Sequence, residues 1–160
     1  GDLLKPEHDL VILHGDGRFP GWQSELLFQE VLTPVGMPEI IDALRSGGGG
    51  KQPALLNYPR LAPNWIDWTG WIQRTGRLDL KDWPVQSCAS YNQSIGRALK
   101  GLGIALGALP LLREEISSGR LVPLEGATLK TGMGYYIAWP NMRPLGTEAE
   151  RLKSALLEAG

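Results

Sequence analysis

The sequence predicts an α/β fold. Short apolar runs of strand length alternate with stretches that repeat apolar residues at helical spacing, and Gly and Pro punctuate the joins. Two Ser/Thr-x-x-Gln/Glu capping boxes, at Ser90–Gln93 and Thr147–Glu150, open helical stretches. Strands alternating with helices throughout imply mainly parallel sheets.

The elements follow in order. Asp9-Leu-Val-Ile-Leu13 is a continuous apolar run, read as a buried parallel strand that ends at the turn-forming string His14-Gly15-Asp16-Gly17. Leu26 to Val35 reads as a second extended segment, closed by Pro34, Gly36 and Pro38. Pro38 suits the first position of a short helix through Ser46. The four glycines Gly47 to Gly50 read as a flexible loop or a linker; no Gly-Lys-Ser/Thr follows in phosphate-loop register. Ala54 to Tyr58 is a strand candidate ended by Pro59. Asn64 is the expected N-cap of a helix from Trp65 towards Thr75, with Gly76 closing it. Trp65, Trp68, Trp71 and Ile72 form one stripe on that helix and are expected in the core rather than in a binding box.

Val85 to Cys88 is a short strand, and the Ser90 capping box opens a helix with Ile95, Ala98, Leu99 and Leu102 on one face. Ile104 to Leu106 is a strand stopped by Gly107, and Pro110 starts a helix through Ile116 that Gly119 ends. Leu121-Val122 leads into a loop, Gly134 to Trp139 is the last strand, and the Thr147 box opens a helix burying Ala149, Leu152 and Leu156.

Composition narrows the function classes. The 160 residues are 42% hydrophobic and 21% charged, enough for a packed core in one domain or in two small lobes. Sixteen basic residues against seventeen acidic ones, with no basic block, argue against phosphate contacts by this segment, which would reach DNA only through another domain. The one cysteine, Cys88, forms no internal disulfide and fits a reducing compartment. No apolar run approaches the roughly 20 residues of a membrane helix, and residues 1–8 lack a signal-peptide pattern, so a cytoplasmic place without membrane contact is expected.

Catalytic and metal patterns are poor. Two histidines, His8 and His14, and one cysteine do not make zinc spacings, and no cofactor or metal is expected. Ser24, Ser87, Ser90 and Ser94 sit in no nucleophile elbow, and Glu114-Glu115 reads as the solvated face of a helix. The expectation is a binding module, not an enzyme.

Six segments in one order resemble the effector-binding domain of LysR-type transcriptional regulators. They are Asp9–Gly17, Leu26–Val35, Trp68-x-x-Trp71-Ile72 with Gly76, Ser90–Pro110 with Gly101-Leu-Gly-Ile-Ala-Leu106, Gly119–Val122 and Tyr135–Pro140. The tryptophan helix is similar to the branch near the glycine-cleavage activators. The resemblance implies a type 2 periplasmic-binding-protein-like fold: two α/β lobes, residues 1–35 plus 132–160 and residues 36–131, joined by two crossover strands. It implies a small-molecule effector held between the lobes, a homo-oligomer (dimer or tetramer), and DNA binding through a winged helix-turn-helix domain absent from this sequence. The family's first lobe normally opens with a strand, helix and strand that have no counterpart before Asp2, so a longer native protein is expected. A solute-binding protein of a transporter shares the fold and is the alternative reading; a pseudo-domain without a ligand is a third.

Sites in open α/β sheets lie outside the carboxyl ends of strands. Two stretches fit that position: His14, Gly15 and Asp16 after the first strand, and Ser90, Tyr91, Asn92 and Gln93 at a helix start. The second favours a carboxylate or other anion through free backbone N–H groups and the helix dipole, or else Ser90 and Gln93 simply cap. His14 is read as a ligand donor or pH reporter, or as a solvated loop histidine, and Asp16 as a ligand contact or an Asx turn. Thr33 is placed on a crossover strand where it would face the cleft. Gly107, with Ala108, would let a ligand approach the backbone.

Overall fold

The computed structural model describes residues 10–45, 52–58, 66–142 and 144–159. Its strands are β1 (Val11–Gly15), β2 (Trp22–Gly36), β3 (Leu55–Asn57), β4 (Val85–Ser87), β5 (Ile104–Ala108), β6 (Val122–Pro123) and β7 (Leu129–Pro140). Its helices are α1 (Pro38–Arg45), α2 (Trp68–Thr75), α3 (Tyr91–Leu99), α4 (Arg113–Ser117) and α5 (Thr147–Ala159), with 3-10 turns at Leu78–Leu80 and Leu109–Leu112. The chain divides into two units: one holds the chain up to Glu30 and from Thr131, the other Val31–Lys130.

In the first unit the hydrogen-bonded order is β1-β7-β2. β1 runs antiparallel to β7, with Val11 opposite Ala138 and Gly15 opposite Gly134. This corrects the parallel, buried strand expected from the apolar run, since Ile12 is 59% exposed. A run of aliphatic residues specifies extended backbone but neither strand direction nor which face is covered. The strand also continues through His14 and Gly15, which the glycine-rich string suggested were already in the turn. Ile137, Trp139 and Leu10 pack against Ala149 of α5, flanked by the half-buried Leu152 and Leu156, so the expected helix face is the buried one. Its start differs from the expected box. The Glu150 N–H bonds the Gly146 carbonyl at 2.9 Å, which makes Gly146 the cap and Thr147 the first helical residue. The Glu150 carboxylate turns instead to Lys153, 3.2 Å away.

In the second unit the order is β2-β5-β3-β4, with β6 on β2. β5, β3 and β4 are parallel, whereas β2 pairs antiparallel with both β5 and β6. The sheets are therefore mixed, not mainly parallel as the strand–helix alternation suggested. Parallel strands need helices on both faces, and consecutive residues show it. Leu55, Ile104 and Leu106 pack with Ile41 and Leu44 of α1 and with Trp68 and Trp71 of α2. Leu56 and Ala105 pack with Ile95 and Ala98 of α3 and with Leu112 and Leu121.

Local chemistry sets the ends of these elements. Asp67, not Asn64, caps α2: its carboxylate accepts the Gly70 N–H at 2.9 Å, and Asn57 Oδ1 accepts the Trp68 N–H at 3.1 Å. Both residue types cap well, so sequence alone did not choose between them. Asn64 and Trp65 lie outside the described residues, as do Gly47–Gly50. Gly76 adopts φ +75° and returns its N–H to the Ile72 carbonyl, closing the helix where expected. Trp68, Trp71 and Ile72 are buried, as the core reading of the stripe required.

The remaining differences are short. β5 continues through Gly107 to Ala108, so Gly107 is inside the strand rather than its stop. Leu102 lies past the end of α3 and is 54% exposed, not on its buried face. The helix expected from Pro110 is a 3-10 turn followed by α4. Leu121-Val122 leads into a strand residue pair, with Val35 opposite Pro123. Pro34 faces Leu106 across the β2–β5 pair, and its carbonyl receives the Leu124 N–H at 2.9 Å from the other side.

Candidate functional site

In the first unit, His14 is not a solvated loop residue. Its side chain is 8% exposed, and its Nε2 is in hydrogen-bond contact with Glu30 Oε2 at 2.9 Å. The other Glu30 oxygen accepts from the Thr131 hydroxyl at 2.8 Å. The Tyr135 ring meets the imidazole edge-on at 5.1 Å. Gly15 ends β1, and a Cβ there would stand 2.9 Å from the Phe19 ring, so packing accounts for that glycine. Asp16 is exposed, and its carboxylate accepts the Arg18 N–H at 2.9 Å, the Asx turn foreseen as one of its two readings. Glu30 and Thr131 were missed in the sequence, although a lone acidic residue inside the apolar run Leu26–Val35 was the available signal.

In the second unit, three sequence-separated candidates converge. Thr33 and Gly107 are direct cross-strand partners in β2 and β5. Next to Gly107, the Ala108 N–H donates to the Tyr91 hydroxyl at 3.1 Å. Tyr91 opens α3, where Ser90 Oγ accepts the Gln93 N–H at 3.0 Å. Gln93 Oε1 accepts the Ala89 N–H at 2.6 Å, so the reciprocal arm of the box reaches one residue before the cap. Ser90, Asn92 and Gln93 are exposed.

Two of these candidates are occupied from within. Thr33 is fully buried, with its hydroxyl 2.9 Å from that of Thr128 and 3.4 Å from the Ala127 carbonyl. A Cβ on Gly107 would come within 2.6 Å of Leu112 and 2.9 Å of Val35. The space beside Gly107 on that side is thus filled by protein rather than left for a ligand.

Beyond the carboxyl end of β3, Asn57, Asp67 and Ser94 line a small cavity with Leu106 and Trp68, of about 10 Å³, room for about one water. Asn57 and Asp67 already serve the start of α2, and Ser94 Oγ donates to the Tyr91 carbonyl at 2.6 Å. In the first unit a broader hollow of about 520 Å³ is lined by residues including Trp139, Glu150 and Lys153. The Lys153 ammonium lies 4.6 Å over the Trp139 ring and 3.2 Å from both Glu25 and Glu150. No candidate read from the sequence lies in either space. Among the described residues no three His, Cys, Asp or Glu side chains are grouped to hold a metal ion. No helix among them is long and apolar enough to cross a membrane.

A strand-and-helix unit covered on both faces, with polar groups gathered at one helix start, describes a class: a binding-type α/β domain. Comparison with solved structures agrees on the fold. The effector-binding domain of AmpR from Citrobacter freundii superimposes with a TM-score of 0.72 at 18% identity, covering 99% of this chain and 80% of that one. The effector domain of AmpR from Pseudomonas aeruginosa gives 0.70 at 21%, covering 94% and 71%. These are type 2 periplasmic-binding-protein-like folds.

The family follows from the sequence match. The model of the LysR substrate binding domain matches residues 1–160, and the chain belongs to that family. It is 26% identical over 153 residues to the HTH-type transcriptional regulator PerR of Escherichia coli K12, covering 94% of this chain and 50% of the relative. It is 26% identical over 156 residues to the glycine cleavage system transcriptional activator of the same strain, covering 91% and 48%. The chain thus spans about half the length of these relatives.

Proposed function

We propose that this chain is the effector-sensing part of a bacterial LysR-type transcriptional regulator. A small metabolite, a carboxylate or another anion by the chemistry of the α3 start, engages Ser90, Tyr91, Asn92 and Gln93 in the second unit, with Thr33 and Gly107 behind them. The lobes are those drawn from the sequence, residues 1–35 plus 132–160 and residues 36–131. DNA is contacted through a separate helix-turn-helix domain, the whole protein works as a homo-oligomer in the cytoplasm, and no reaction is catalysed. The names of both sequence relatives favour this reading over a transporter's solute-binding protein.

The observation that supports the site is the start of α3, where Ser90, Asn92 and Gln93 are exposed beside Tyr91, whose hydroxyl receives the Ala108 N–H. An effector shifts a conformational equilibrium only by its differential affinity for the two states. A binder present at 100 times its Kd adds about 2.7 kcal/mol to stability. Thermal unfolding of the chain against a panel of small metabolites, carboxylates first, is therefore expected to find a compound that raises Tm. The same compound is expected to move the amide resonances of Tyr91–Gln93. A panel without any stabilising compound, or a binder that leaves those amides in place, contradicts the assignment.

A further inference from the structure

In the second unit the connecting helices change faces around β3. This strand lies between β5 and β4 in the sheet. The chain leaves β3 for α2, which packs with Leu55, Ile104 and Leu106. It leaves β4 for α3, which packs with Leu56 and Ala105 on the opposite face. Helices that depart to opposite faces open a crevice outside the carboxyl ends of the strands, the usual place for a ligand in such sheets. The small cavity lined by Asn57, Asp67 and Ser94 lies there. Asn57 ends β3, Asp67 caps α2, and Ser94 follows Gln93 in α3.

The polar groups that local bonding leaves over set what this cavity holds. One Asp67 oxygen accepts the Gly70 N–H, and among the described residues the other accepts nothing. Asn57 Oδ1 accepts the Trp68 N–H, and among the described residues its amide NH₂ has no acceptor. The buried Ser94 spends its proton on the Tyr91 carbonyl and keeps only lone pairs. Two acceptors, one of them a carboxylate oxygen, and one amide donor thus remain around about 10 Å³. A single heavy atom that both donates and accepts answers all three, and a hydroxyl is such a group. An ammonium has nothing for the Asn57 amide, a carboxylate meets Asp67 charge to charge, and a methyl satisfies none of them. We propose that this cavity reads a hydroxyl of the effector, which, resting on the anion reading of the α3 start, makes the effector a hydroxy carboxylate. The Ser94 N–H bonds the Ser90 carbonyl, one helical turn away. That turn rises roughly 6 Å, so the hydroxyl and the carboxylate are joined by a short chain of carbons.

Three matched compounds test it: δ-hydroxyvalerate, valerate and δ-aminovalerate, each titrated into the chain and followed by amide resonances. Gln93, whose N–H bonds Ser90 Oγ, reports the α3 start, and Gly70, whose N–H bonds Asp67, reports the cavity. A ligand group that cannot reproduce the hydrogen bonds of the water it displaces loses affinity. The hydroxy compound is therefore expected to move both amides and to bind about tenfold tighter than the other two, which move Gln93 alone. Asp67→Asn keeps the cap, because asparagine caps as well as aspartate, but removes the charged acceptor. In that variant the advantage of the hydroxyl is expected to shrink to about threefold or less. Equal affinity for all three compounds, or an advantage that survives Asp67→Asn, overturns the hydroxyl assignment and leaves the anion reading standing. No shift at either amide with any of the three overturns both.

Discussion

The two units bury polarity differently. Among the described residues the first encloses a carboxylate, Glu30, with its imidazole and hydroxyl partners. The second encloses only neutral hydroxyls, Thr33 bonded to the distant Thr128 and Ser94 to the nearby Tyr91 carbonyl, around a tryptophan-rich apolar core. The contrast teaches that similar strand-and-helix layers are held in place by two means. Packing is forgiving of direction but not of volume, whereas a buried charge is forgiving of neither partner nor position.

Three substitutions break or sharpen that contrast. Trp71 is fully buried against Trp68, with ring centroids 5.5 Å apart. Trp71→Ala is expected to remove about 3–5 kcal/mol in urea unfolding; a loss below about 2 kcal/mol would mean that the second core collapses around the gap and is not tightly packed. Thr131→Val, nearly isosteric, leaves one oxygen of a buried carboxylate without its donor. The expected cost is about 2 kcal/mol, the value of a hydrogen bond to a charged group. A neutral outcome there would show that the first unit owes little to its polar interior. Ser90→Ala deletes an exposed cap at the edge of the second unit. Chemical denaturation should register about 1 kcal/mol, and an unchanged midpoint would show that the arm from Gln93 to Ala89 holds the turn unaided.

The parts of the fold legible in the sequence were those written in local chemistry. The Ser90 cap, the Gly76 stop, Pro38 at a helix start and the tryptophan stripe each depend on neighbours within one or two turns. What the sequence left open was set by distant partners. The antiparallel seat of β1 is decided by β7, more than a hundred residues away, and a run such as Val11-Ile12-Leu13 is equally extended in either direction. Gly107 looks the same in sequence whether it makes room for a ligand or for Leu112 and Val35. His14 was singled out, but its surroundings were misjudged, because the residue that buries it lies on another strand. The candidate site was thus legible as a set of positions and not as a set of free groups.

Pro34 bears on how the molecule avoids sticking to itself. The residue lacks an N–H, and its carbonyl points away from β5, towards Leu124, where β6 is only two residues long. In an antiparallel strand the amide and carbonyl of one residue point to the same side. The missing donor therefore falls on the thinly covered flank, and the ladder to β5 loses nothing. A foreign strand sliding along that flank would find no amide at Pro34 and, on the short strand beside it, a second imino acid at Pro123. At Pro34 that flank of β2, the longest strand among the described residues, thus offers an incomplete edge for another strand to pair with.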